Sequence, residues 1–233
     1  MRIAPEADIF VARVAKTPED LGNVENVANA IEWAQRECKA DLISMSFGYT
    51  KDHLPISKAI RSAINDRDES VVFFAAAANS GANATELFPA RHESVISIRG
   101  TSSNGYIADF NPPLNRREHV ALATLGTEVP SEPLSSDVSQ KPSVKSGTSI
   151  ATAISVGIAG LLLTYVNRQS GRQSYNGVKS RLHTRRGMLA MLENISTPSI
   201  HRDFLYIKPW CLEGLPADTL WARFEATLLG SGE

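Results

Sequence analysis

The sequence predicts an α/β fold, a parallel sheet with helices on both faces. Three features point to it. Apolar runs rich in β-branched and aromatic residues read as strands. They alternate with stretches whose apolar residues recur at helical spacing, the βαβαβ order of a parallel sheet. A long apolar stretch from Ile150 to Val166 then reads as a helix buried inside the domain.

Residues 7–14 are predicted as the first strand. Residues 23–37 form a helix, with Val24, Val27, Ala28, Ile31 and Ala34 on one face. Residues 41–46 form the next strand. Residues 55–66 are helical, with Ile56, Ala59, Ile60, Ala63 and Ile64 in register and Pro55 suited to the first turn. Strands follow at 71–77 and 94–98. Residues 101–146 are turn-rich, with Pro112, Pro113, Pro130, Pro133 and Pro142 and a short strand near 119–124. The central helix covers about 149–167, with Gly157 and Gly160 allowing close packing on the sheet. Residues 176–196 read as further helix, Phe204–Trp210 as a late strand or packing arm, and Asp218 as the cap of a last amphipathic helix. The expected division is a main domain over 1–207 and a helical C-terminal extension over 208–233.

Composition excludes several functions. The 233 residues carry a net charge of −1 with both signs interspersed, so no basic field points to nucleic acid. The stretch 150–166 is near the lower limit for a membrane span, where about 20 apolar residues are needed, and it contains Thr152, Ser155 and Thr164. It is read as a core helix, and no membrane partner is expected. Two cysteines, Cys38 and Cys211, make no disulfide framework. The N-terminus lacks an apolar signal core, and an intracellular location is expected.

Ser149 is the leading candidate for chemistry. It lies in Lys145-Ser146-Gly147-Thr148-Ser149-Ile150-Ala151-Thr152-Ala153, at the start of the apolar helix. Helical N–H groups without partners and the positive end of the dipole surround a hydroxyl there. Acyl transfer needs that setting, because its tetrahedral intermediate carries a negative oxygen. The competing reading is that Ser149 or Thr148 only caps the helix.

The segment resembles the nucleophile motif of the subtilases, the subtilisin-like serine proteases, whose pattern is Gly-Thr-Ser-x-Ala-Thr-Pro. Ala153 stands where the family usually has Pro. A second block, Val71 to Gly81, ends in Ala77-Ala78-Asn79-Ser80-Gly81 and resembles the family's Ala-Ala-Gly-Asn-x-Gly. The resemblance implies that the Asn79 amide donates to the oxyanion. Ala78 replaces a Gly, which would be strained if that position needed positive φ. A third block, Ser46-Phe47-Gly48 after the strand 41–46, resembles the segment that pairs with bound peptide. Main-chain pairing of this kind suits a polypeptide substrate. Ala76 and Ala77 would form the other wall of the primary specificity pocket, and their small size suggests an open pocket for a sizeable apolar side chain. Ile3-Ala4-Pro5-Glu6-Ala7 and Phe88-Pro89-Ala90 add two weaker matches, so the resemblance covers roughly residues 3 to 165.

The resemblance implies a subtilisin-like fold and a serine endopeptidase acting through an acyl-enzyme on Ser149. It also implies that the catalytic Asp and His precede Ile3-Ala4-Pro5. The chain is therefore expected to be an N-terminally truncated catalytic domain, close to inactive alone, whose partner includes an upstream segment of its own full-length protein. None of His53, His92, His119, His183 or His201 lies in a family histidine motif. Without a base, the serine alcohol is a poor nucleophile. The alternative is a pseudo-protease, a peptide-binding or regulatory module without catalysis. No cofactor is expected. Subtilases often bind calcium, but no calcium ligand can be placed on this sequence.

Overall fold

The computed structural model describes residues 3–17, 19–81, 85–113, 121–131, 143–199 and 203–230. Its centre is a six-stranded sheet in the order β1-β2-β3-β4-β8-β7. The strands are β1 (Leu42–Met45), β2 (Val72–Ala76), β3 (Val95–Thr101), β4 (Ala121–Leu125), β7 (Ser196–Pro198) and β8 (Phe204–Ile207). The pairs from β1 through β4 to β8 are parallel, and β7 closes the far edge antiparallel to β8. A separate two-stranded ribbon pairs β5 (Val129–Ser131) with β6 (Ser143–Lys145).

Alternation along the strands separates two cores, because successive side chains point to opposite faces. Val72 and Phe74 of β2, with Ile96 and Ile98 of β3, meet α3 (Thr148–Asn167), α4 (Tyr175–Leu182), α5 (Arg185–Asn194) and α6 (Ala217–Leu229). Phe73 and Ala75 face the other way, onto α1 (Val24–Arg36) and α2 (Leu54–Asp66). Helices on both faces of a mostly parallel sheet are the architecture the sequence predicts.

Helix α3 explains why its stretch is apolar all round. Ala151, Ile158, Ala159, Leu162, Leu163 and Val166 are buried, and so are the hydroxyl-bearing Thr152 and Ser155. By length and composition alone this helix could cross a membrane. Burial against the sheet accounts for the same residues. Its glycines face a different neighbour from the one expected. A Cβ on Gly157 would come within 2.9 Å of Ile3, and one on Gly160 within 3.2 Å of Ala4. The glycines therefore admit the N-terminal segment rather than the sheet.

Three other elements differ from the sequence reading. Residues 7–14 form no strand. The segment starts with Ile3 packed on the α3 side and ends with Val14 packed on the α1–α2 side, and Ile9, Phe10 and Val11 between them are exposed. The predicted helix 176–196 is two helices, separated where Thr184 takes an extended conformation and its hydroxyl accepts the Gly187 N–H. The last helix has Pro216, not Asp218, at its N-cap. Asp218 lies in the first turn, where Arg172 donates to it at 2.7 Å.

Candidate active site

The carboxyl ends of β1 and β2 and the N-terminus of α3 meet at one corner, the usual place for active groups in open α/β sheets. Helix α3 starts at Thr148, so Ser149 is its second residue. The N-cap is Gly147, which has no side chain to offer. Ser149 therefore does not cap the helix. Its half-buried side chain instead donates to the Ser46 carbonyl at 3.4 Å. In return the Ser46 hydroxyl donates to the Ser149 carbonyl at 3.5 Å. These two contacts hold the end of β1 against the start of α3.

Gly147 has φ of +147°, outside the range that residues with a Cβ favour. A Cβ there would also lie 3.2 Å from Asn79 Nδ2. Its N–H donates to the Gly126 carbonyl at 2.8 Å, which ties the turn to the end of β4.

Asn79 follows β2 and is exposed. Its Oδ1 accepts the Thr148 N–H at 2.8 Å and the Thr148 hydroxyl at 3.1 Å. A backbone N–H can only donate, so this contact fixes which end of the amide is oxygen. Nδ2 is left on the other end, with two protons to donate beside the first turn of α3. Ala78, buried before it, is not among the described non-glycine residues with positive φ. The Ala-for-Gly exchange therefore carries no left-handed strain.

Ser46, Phe47 and Gly48 run on from β1. Ala76 ends β2, and Ala77 follows it, fully buried. The Ala77 N–H donates to the Ile98 carbonyl at 3.1 Å, and its carbonyl accepts the Leu87 N–H at 2.9 Å. Tyr49 and Phe88 exchange backbone hydrogen bonds of 2.7 and 2.9 Å. Thus Ser149, Asn79 and Ser46 come together at one corner. Gly48 and Ala77 lie on the two segments that flank Leu87.

The described histidines have other partners. The His53 ring packs edge-on against Tyr49, with centroids 4.6 Å apart. His92 Nδ1 accepts the Ser94 N–H at 3.2 Å, and burial pushes its pKa down. His183 Nδ1 lies 3.5 Å from Asp41 Oδ1, and its hydrogen bond holds the Asp41 carboxyl below its ordinary pKa. His119 and His201 lie outside the described residues. Among the described residues no three His, Cys, Asp or Glu side chains converge as a metal site.

Two contributors were not singled out from sequence. From sequence Thr148 is part of the nucleophile motif or a helix cap, yet it orients Asn79 through both its N–H and its hydroxyl. Leu87 gave no signal beyond its place just before Phe88-Pro89-Ala90.

The profile of the subtilase family matches residues 2–192. The chain is 28% identical over 167 residues to the major intracellular serine protease of Bacillus subtilis (strain 168), covering 70% of this chain and 49% of that protein. It is 32% identical over 160 residues to thermitase of Thermoactinomyces vulgaris, covering 68% of this chain and 52% of that protein. The chain thus spans about half the length of these relatives. Among solved structures, the self-cleaved protease domain of PatA superposes with a TM-score of 0.69 at 20% identity, over 99% of this chain and 77% of that one. That likeness concerns the fold.

Proposed function

The chain belongs to the subtilase family, and from that premise we propose that it carries the nucleophile and peptide groove of a serine endopeptidase. Ser149 is the nucleophile. Asn79 Nδ2 and the Ser149 N–H are the oxyanion donors. Ser46, Phe47 and Gly48 pair with the polypeptide substrate, and Ala76 and Ala77 form the opposite wall. The observation that carries this reading is the pair of bonds from Thr148 to Asn79 Oδ1. They hold Oδ1 on Thr148, which leaves the Nδ2 protons on the opposite end of the amide. Preorganised donors of this kind usually make the largest single contribution to acyl transfer.

In this scheme the Ser149 oxygen adds to the scissile carbonyl and the amine leaves, giving an acyl-enzyme that water hydrolyses. The serine proton needs an acceptor. The Ser46 carbonyl that now receives it cannot act as a base, and a base is assigned to none of the described histidines. An intracellular site of action is part of the proposal. It rests on relatives named as intracellular serine proteases in Bacillus subtilis and Paenibacillus polymyxa.

The Ser149-to-Ser46 contact favours a second reading, a peptide-binding module without catalysis. A serine-directed fluorophosphonate separates the two. The protease reading expects covalent labelling of the full-length protein that Ser149→Ala abolishes. Labelling that survives the substitution removes Ser149 from the mechanism. Cooperative folding and peptide binding, with neither labelling nor cleavage, supports the second reading.

A further inference from the structure

We propose that Leu87 closes the primary specificity pocket, so that the groove selects peptides with a small residue, Gly, Ala or Ser, at the position entering it. This rests on the reading of Ser46–Gly48 and Ala76–Ala77 as the pocket walls. Judged from those walls alone, the pocket would be open. Leu87 comes from a third segment and joins them. Its N–H donates to the Ala77 carbonyl at 2.9 Å. Its side chain lies directly against Gly48, where a Cβ would meet Leu87 Cβ at 2.6 Å, Cδ1 at 2.7 Å and Cγ at 3.2 Å. The space beside Gly48 is already filled by three apolar carbons of Leu87.

The plug is held from both sides. Glu86, before it, is 3% exposed, accepts the Ser97 hydroxyl and lies 3.4 Å from the fully buried Arg99. The Glu86 carbonyl accepts from Arg91 Nη1 at 3.0 Å. Phe88, after it, is 1% exposed and locked to Tyr49 by two backbone hydrogen bonds. Swinging Leu87 out would disturb a buried ion pair on one side and a backbone bridge on the other. Breaking up buried charge pairs is strongly unfavourable. A large incoming side chain must therefore overpack the site rather than displace its floor.

Fluorescein-labelled tetrapeptide amides that differ only in a last residue of Ala or Phe provide the probe, with binding read by fluorescence anisotropy. The wild-type chain is expected to bind the Ala peptide at least about tenfold more tightly than the Phe peptide, the discrimination that one or two misfitting methylenes produce. Leu87→Gly and Leu87→Ala should bring the Phe peptide to equal or tighter binding, whereas Leu87→Met, which keeps the bulk, should preserve the preference for Ala. Equal binding of the two peptides by wild-type protein overturns the proposal whatever the variants do. So does an unchanged ratio in an opened variant whose circular dichroism is native. Failure of folded wild-type protein to bind either peptide, and of the opened variants to do so, has a different meaning. It removes the peptide groove itself, and the proposal falls with it.

Discussion

Asn79 shows how one side chain gains a defined role from its neighbour. After a strand, an Asn is an ordinary turn former. Two donors from Thr148 on its Oδ1 turn it into an oriented amide. His92 shows the same dependence in a titrating group. Its Nδ1 accepts a backbone N–H, which requires the neutral ring, and burial pushes its pKa below 6.5. The unfolded chain then takes up the proton first as the pH falls. Stability from this residue is fully present above pH 6.5 and declines below it, down to the folded pKa. Chemical denaturation between pH 7.5 and 5.5 should show this slope, and His92→Gln should flatten it. An unchanged slope would assign the pH dependence to other groups.

At the scale of elements, the sequence periodicity located helices better than their ends. Residues 176–196 keep a helical apolar pattern throughout, yet the chain breaks at His183–Thr184. The break lets α4 and α5 each bury their own residues, Val178 and Leu182 in one, Met188, Met191 and Leu192 in the other. Thr184 makes the restart possible by capping α5. Thr184→Ala should cost about 1 kcal/mol, read from the urea midpoint at constant slope. A loss near zero would mean that packing alone sets the break. The segment 7–14 makes the complementary point. Its β-branched and aromatic residues favour an extended backbone, but a strand also needs a paired neighbour, and pairing is not encoded in the segment itself.

At the scale of the molecule, the sheet divides two cores, and the larger one draws on residues far apart in sequence. Phe224 of α6 is fully buried among Tyr165 of α3 and the residues of α4 and α5. Phe224→Ala should lower unfolding stability by roughly 3–5 kcal/mol. Fluorescence and circular dichroism should still report one transition. A small loss, or two separated transitions, would mean that α6 is energetically apart from the sheet.

The sequence by itself determined the sheet-and-helix class, the buried strand β2, the core helix α3 and the candidacy of Ser149, Asn79 and Ser46–Gly48. Each is written locally, as a run of apolar residues, a helical period or a short motif. Only the tertiary structure decided that Thr148 orients Asn79, that Gly147 needs a positive φ, that the glycines of α3 face Ile3 and Ala4, and that Leu87 lies against Gly48. Those contacts join residues distant in the chain, and the packing of whole elements, not any local pattern, brings them within reach.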